Sequence, residues 1–491
     1  MKQYRLLIGG ENVDAASGET FESLNPTTGR SWATLPLAGA EDVDRAVRAA
    51  RGAFESEAWR ALSPTRRGRL MMRLADLIAE RAEEIARIEV ADNGKLYKEM
   101  RAQLRVIPDW LYYFGGLADK LEGRVIPLDR TSVLNYTLRE PLGVVGIIIP
   151  WNSPVLLTMY SLCPALAAGN TVVVKPSEHA SASVLETLRL AEEAGFPPGV
   201  VNVVTGEGAA GEALVAHPGV AKISFTGSEV TGKRIAAAAG GRLARTTLEL
   251  GGKSPNIVFA DAPLDAAEAG LLAGIYAAAG QTCVAGSRAL LQRPVYDELL
   301  ERVRRRAEGV VLGDPMDDAT QMGPIANVPQ LRRIEEMVSA AQADGARISG
   351  GARAAVAGFE EGLFYDPTIV DGVGNDAAIA QDEVFGPVLT VLPFETEEEA
   401  VAIANDTRFG LAAGVWTSDL KRAHRVARRL QAGTVWLNLY RAITFNSPFG
   451  GYKESGFGRV NGAEAVDAYL QTKSVWVELS DDVQDPFVMK V

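Results

Sequence analysis

From residue 143 onward, short apolar runs rich in β-branched residues alternate with Ala- and Leu-rich stretches of helical periodicity. The runs at 144–149, 171–175, 200–204 and 221–225 are too short for helices and read as continuous rather than alternating strands. A strand that is apolar on both faces must be covered on both, which is the condition of a parallel sheet between two layers of helices. A second series, at 256–259, 287–291, 389–392, 411–417 and 433–437, repeats the pattern, with helical stretches such as 295–308 and 418–430 between the runs. The expected fold is therefore α/β, with a Rossmann-like parallel-sheet domain suited to a nucleotide and a second α/β domain that meets it near residue 253. Amphipathic stretches at 41–54 and 64–90 predict helices packed on the first sheet. The expected division is 1–121 with 143–252, then 253–455. Segments 122–142 and 456–491 remain as distant pieces that pair into a small projecting sheet, whose open edge would invite a second subunit.

A chain of 491 residues exceeds what one hydrophobic core fills, so more than one domain is required. The net charge of −12 argues against a nucleic-acid partner. Basic clusters such as Arg304, Arg305 and Arg306, or Lys421, Arg422 and Arg425, fall in helical stretches and read as solvated faces. Two cysteines cannot frame a disulfide scaffold and are too few for a thiolate metal site, so no metal and a reducing, cytoplasmic setting are expected. Residues 1–10 lack the apolar core of a secretory signal. The most hydrophobic segment, 142–151, is far short of the ~20 residues that span a bilayer, so no membrane partner is expected.

Three places carry candidate chemistry. Cys283 lies in the turn Gly280-Gln281-Thr282-Cys283-Val284-Ala285-Gly286, where small neighbours leave room for a substrate to reach the sulfur. Cys163, in an apolar helical run, is instead an ordinary small core residue. Glu249 ends a strand ahead of Gly251 and Gly252, and a carboxylate in apolar surroundings has the raised pKa that suits a general base. The three histidines, His179, His217 and His424, lie outside any Gly-rich turn, which leaves Glu249 the better partner for the thiol. Asn152, in Ile149-Pro150-Trp151-Asn152, follows the first apolar strand, and its amide N–H is a candidate donor to an oxyanion.

A dinucleotide site is suggested by Lys175-Pro176-Ser177-Glu178, where a Lys and a Glu after a strand can bind ribose hydroxyls. Glu178 would repel a 2′-phosphate, favouring NAD over NADP. Phe225-Thr226-Gly227-Ser228 follows the next strand and opens a helix, whose N-terminus suits a phosphate. The Gly206-Glu207-Gly208 turn matches a dinucleotide fingerprint only superficially.

Together with Glu383-Val384-Phe385-Gly386-Pro387 and Pro448-Phe449-Gly450-Gly451-Tyr452-Lys453, these segments resemble the aldehyde dehydrogenase superfamily, in the family's order and over nearly the whole chain. The resemblance implies a Rossmann-like cofactor domain, a catalytic domain and a small β oligomerisation domain, assembled as a homodimer or homotetramer. It implies NAD-dependent oxidation of an aldehyde to an acid through a Cys283 thiohemiacetal and thioester, with Glu249 activating water and Asn152 holding the oxyanion. It further implies that Ile149, Pro150, Trp151, Lys175, Ser177, Glu178, Gly208, Phe225, Thr226, Gly227, Ser228, Leu250, Glu383 and Phe385 bind the cofactor. Leu156, Leu157, Tyr160, Thr282, Val284, Ile443 and Phe449 would line the substrate pocket, suiting a medium-chain, aromatic or terpenoid aldehyde. Arg101, Arg105 and Arg441 leave open a carboxylate-bearing semialdehyde. A CoA-acylating dehydrogenase, an esterase-like thiol hydrolase and a retired binding or structural protein are also compatible with parts of the pattern, although an intact Cys283 and Glu249 argue against the last. Three positions depart from the common pattern: Val460 stands where many relatives carry Glu, and Ser153 and Ser161 where an aromatic and a Lys are frequent, predicting a wider, less basic channel mouth.

Overall fold

The computed structural model describes residues 1–481 together with Val483 and Phe487. Five parallel strands form the middle of an eight-stranded sheet, in the spatial order Arg245–Glu249, Val220–Thr226, Val144–Ile149, Thr171–Pro176, Val201–Val203. The strand that comes first in the chain is central, and the later strands are added first on one side of it and then on the other. Its C-terminal end and that of Val220–Thr226 therefore open into loops that leave the sheet in opposite directions, the crevice where α/β sheets bind ligands. Gly456–Phe457 closes one edge antiparallel to Leu248 and Glu249. Leu6–Ile8 and Glu11–Val13 close the other.

Strands 144–149 and 171–176 are buried almost throughout, as continuous apolar runs require. The strand Val220–Thr226 departs from that pattern because Lys222 and Ser224 are inside as well. Lys222 Nζ donates to Thr247 Oγ1 at 2.6 Å and lies 4.8 Å from the centre of the Tyr469 ring. Ala40–Glu55 packs on the sheet, whereas Pro64–Glu80, Ala82–Asn93 and Tyr97–Leu117, expected there from the sequence, pack mainly on one another and on the covering helices Pro154–Ala167 and Ala182–Glu193. The predicted helix over 64–90 is broken at Arg81, which has a non-helical φ of −110° and ψ of 13°.

The second sheet has seven strands in the order Arg347–Ser349, Thr368–Asp371, Val388–Phe394, Arg288–Gln292, Pro255–Val258, Ala412–Trp416, Thr434–Leu437, parallel except at Arg347–Ser349. It is joined to the first by the short Leu250–Ser254 connection that carries the two glycines after Glu249. A third sheet pairs Leu470–Glu478 with Val133–Pro141 along all nine residues of each, with Val125–Ile126 beyond. Gly456–Phe457, grouped by sequence with that projecting sheet, belongs instead to the eight-stranded one. Residues 482, 484–486 and 488–491 of the expected tail segment lie outside the described residues. A small sheet of Lys2–Gln3, Thr20–Asn25 and Arg30–Pro36 was not foreseen in the sequence. Among the described residues, no helix is long and apolar enough to cross a membrane.

Candidate active site

Cys283 is presented by a backbone that only a tightly packed loop sustains. Ala278, Ala279 and Gly280 have φ of 55°, 52° and 68°, so three successive residues occupy the left-handed region. A side chain at Gly280 would meet the Gly386 carbonyl oxygen at 2.0 Å, which is why the Cys283 loop and the Glu383–Pro387 loop can lie against each other. Gln281 fastens the loop: its Oε1 accepts from Ala326 N at 2.9 Å, and its Nε2 donates to Pro324 O at 3.3 Å. Asn152 reaches it from the first sheet, its Nδ2 donating to Gln281 O at 3.0 Å. The Asn152 amide thus stands at the Cys283 loop, although the two are 131 residues apart in the chain. Burial pushes the Cys283 thiol up to about 12, with the carboxyls of Glu383 and Glu249 adding to the effect.

Glu249 ends the strand Arg245–Glu249 and is buried, and neither carboxyl oxygen has a hydrogen-bond partner among the described residues. Burial lifts its pKa well above the ordinary carboxylate value, against a weaker opposing pull from Arg459. A buried carboxyl without partners is costly unless a ligand or water meets it. Gly251, two residues on, lets Glu383 approach: a Cβ there would lie 2.2 Å from Glu383 Oε2. Glu383 Oε1 accepts from Gly252 N at 2.8 Å, and burial raises its pKa to about 7. The turn that carries Glu383 is held from behind by Gln330, which donates to the carbonyls of Val384 and Phe385, and by Arg333, which donates to that of Glu383.

Two cavities meet at Cys283. One, of about 290 Å³, is lined by Pro150, Trp151, Thr226, Gly227, Ser228, Glu383 and Phe385, with the Trp151 and Phe385 rings edge-to-face at 5.3 Å. It ends on the N-terminus of the helix Glu229–Gly240, where Ser228 caps Thr231 N. The other, of about 370 Å³, contains all seven residues assigned to the substrate: Leu156, Leu157, Tyr160, Thr282, Val284, Ile443 and Phe449. Asn152, Leu157, Thr226, Glu249, Leu250 and Cys283 border both. The thiol is therefore accessible from two sides, the arrangement needed when two reactants must meet over one sulfur.

Other assigned residues lie farther out. Lys175, Ser177 and Glu178 are at the same C-terminal edge of the first sheet, after the strand Thr171–Pro176, but do not line the cavity beside Phe385. Lys175 Nζ is 3.4 Å from Glu178 Oε2. Burial opposes the charge on Glu178, but Lys175 outweighs it with the help of a backbone hydrogen bond and His179, holding the carboxyl below its ordinary range. Gly208 opens the helix Gly208–Ala216 with free space around it. Ile149 and Phe225 are buried in the sheet behind the cavity.

Arg101 and Arg105 do not face the substrate cavity. On the helix Tyr97–Leu117 the wall is formed by Ala102, Gln103, Val106 and Trp110, so the two arginines fall on another face. Arg101 lies over the Tyr97 ring, and Arg105 pairs with Glu83 at 3.5 Å. Arg441 does line the cavity. Ser153 does too, but Ser161 is in the core, sharing a 2.7 Å hydrogen bond with Ser224, and has no part in a channel mouth. Lys95, unnoticed in the sequence, also lines the cavity and donates to Ser153 Oγ at 2.8 Å. Val460 is buried and forms a reciprocal backbone bridge with Phe449 at 2.8 Å, so its side chain carries no proton.

Comparison with known proteins agrees with this geometry. Residues 13–475 match the model of the aldehyde dehydrogenase family. The chain is 46% identical, over the full length of both, to a (Z)-2-((N-methylformamido)methylene)-5-hydroxybutyrolactone dehydrogenase of Acinetobacter baylyi. It is 44% identical to a hydroxyisobutyraldehyde dehydrogenase of Mycolicibacterium austroafricanum, across 96% of this chain and 94% of that one. A crystal structure of betaine aldehyde dehydrogenase from Staphylococcus aureus in complex with NAD+ superposes with a TM-score of 0.97 at 39% identity, across 99% and 97% of the two chains.

Proposed function

The chain belongs to the aldehyde dehydrogenase family and is an enzyme that oxidises aldehydes with NAD, and on that premise we propose that it releases a free carboxylic acid through a thioester on Cys283 hydrolysed with Glu249 as base. The observation that carries this reading is the meeting of the two cavities at Cys283, with Asn152 and Glu249 on their shared border. The Cys283 thiol gives its proton to water in the cavity as Sγ adds to the aldehyde carbon. The developing oxyanion is held by the Asn152 amide and the Cys283 backbone N–H, and one such donor is worth about 2.7–4 kcal/mol in the transition state. NAD would supply the hydride acceptor, and loss of hydride from the thiohemiacetal carbon would leave a thioester on Cys283 Sγ. Glu249 then removes a proton from water as its oxygen attacks the thioester carbon, and the acid departs while Sγ recovers a proton. A carboxyl with a raised pKa and no internal partner is suited to that exchange.

The residues fit the cofactor. Ser228 and the N-terminus of the helix Glu229–Gly240 would hold phosphate oxygens, Glu383 a ribose, and Trp151 and Phe385 would flank the cavity. Lys175 and Glu178 would hold the other ribose, and the ionised Glu178 disfavours a 2′-phosphate. The apolar lining suits an aldehyde with a medium-chain, aromatic or terpenoid body. A homodimer or homotetramer is supported by the strand Leu470–Glu478, which has one unpaired edge among the described residues, and by exposed Trp476, Leu134 and Leu138 on that sheet. Two free cysteines suit the cytoplasm.

The test is Cys283→Ala. Aldehyde-dependent NADH formation disappears, and an undiminished rate in this variant refutes the reading. Turnover unaffected by CoA separates it from an acylating enzyme.

A further inference from the structure

Lys95 is a buried cation that the oxidation at Cys283 does not use. It is 6% exposed, follows the helix Ala82–Asn93, and borders the substrate cavity. The one hydrogen-bond partner of its ammonium among the described residues is Ser153 Oγ, at 2.8 Å. Glu99, Glu89, Arg441 and Cys283 are near enough to influence its charge, yet among the described residues no carboxylate lies within the 4.0 Å of an ion pair. A buried ammonium that keeps one hydrogen bond and no counter-ion has donors to spare. The wall offers a further donor in Arg441, whose Nη1 donates to Ala273 O at 3.0 Å. Among the described residues Glu249 is the one acidic residue of the lining, beside Lys95 and Arg441, so the cavity is biased toward an anion. The small Ser153 gives the bias access, since a bulkier residue there would stand between the ammonium and the cavity.

We propose that Lys95 and Ser153, with Arg441 in the wall of the same cavity, form a subsite for a carboxylate carried by the substrate, so that the preferred aldehydes bear an acid group at the end remote from the carbonyl. This deepens the functional reading and rests on it, because the subsite matters only if the aldehyde enters this cavity to reach Cys283. The carboxylate accepts hydrogen bonds from Lys95 Nζ and Ser153 Oγ while the apolar walls enclose the carbon chain.

The experiment compares carboxylate-bearing aldehydes with uncharged isosteres: succinic semialdehyde with 4-methylpentanal, 6-oxohexanoate with 6-methylheptanal, and 4-carboxybenzaldehyde with 4-isopropylbenzaldehyde. In the wild-type enzyme at least one acid exceeds its isostere in kcat/KM by roughly tenfold or more, the lower end for a charge-assisted hydrogen bond in a buried site. A smaller ratio in all three pairs overturns the proposal. Oxidation of none of the six contradicts the functional reading instead. Lys95→Met brings the ratio to about one, mainly through the KM of the acid, and Lys95→Arg restores part of it; a ratio unchanged in Lys95→Met also overturns the subsite. Should Lys95→Met not fold, Ser153→Phe, which screens the ammonium, is read by the same ratio.

Discussion

Replacing Asn152 by Ala separates a catalytic donor from a structural one. The side chain is 5% exposed, and its Nδ2 donates to Gln281 O at 3.0 Å, beside the Cys283 loop. An amide nitrogen carries two hydrogens, so one can anchor the loop while the other meets the oxyanion. Loss of the anchor leaves the Gln281 carbonyl short of one partner, a cost of about 1–3 kcal/mol. In a chain this long that lowers Tm by no more than a few degrees. Loss of the donor removes about 2.7–4 kcal/mol from the transition state, or roughly 10²–10³ in kcat. Because the oxyanion forms only after the sulfur has attacked, kcat and kcat/KM should fall together with KM little changed. Steady-state NADH absorbance and a thermal melt measure the two effects in one preparation. A fall in kcat of less than about tenfold with an ordinary melt refutes the oxyanion role, and a rise in KM alone assigns Asn152 to substrate binding instead.

Glu249→Gln is expected to lower activity on the order of 10²- to 10⁴-fold, yet raise stability at alkaline pH. Burial holds the folded-state pKa above the ordinary 4.5, so as pH rises past that value the unfolded chain loses the proton first. The folded wild type is thereby penalised by about 1.4 kcal/mol per pH unit until its own pKa is reached, whereas Gln is not. The melting advantage of the variant should accordingly grow as pH rises above the ordinary carboxylate value, and a gap that is flat with pH refutes the burial argument. Glu178→Gln removes the carboxylate that opposes a 2′-phosphate and should raise kcat/KM for NADP roughly tenfold, equal to about 1.4 kcal/mol. An unchanged preference for NAD would place the discrimination elsewhere.

Much of the fold was legible because apolar strands announce themselves. The run at 144–149 coincides with the observed strand, and those at 171–175 and 433–437 differ from theirs by one residue. Strand Thr368–Asp371 was missed because its four residues have no flanking periodicity to separate them from a loop. The site was legible where one turn holds the chemistry, as at Cys283 and Glu249, with glycines marking close approach. It was not legible where function depends on helical phase or on distant pairing. Arg101 and Arg105 look like a carboxylate fork in the sequence, but the helix turns Ala102, Gln103 and Val106 inward. Lys95 meets Ser153 across 58 positions, and no local signal marks the meeting. Ser161 and Ser153 are eight residues apart on and beside one helix, yet only Ser153 reaches the cavity.

The covalent claim is tested most directly by mass spectrometry of Glu249→Gln, quenched with acid after mixing with an aldehyde and NAD. Removal of the base slows hydrolysis more than attack, so an acyl group should accumulate on the peptide that contains Cys283, alongside a burst of about one NADH per active site. Cys163, buried in the core and with its thiol pKa raised by burial, should remain unmodified. An NADH burst with no acyl mass at Cys283, or acylation of Cys163 instead, would contradict the covalent mechanism.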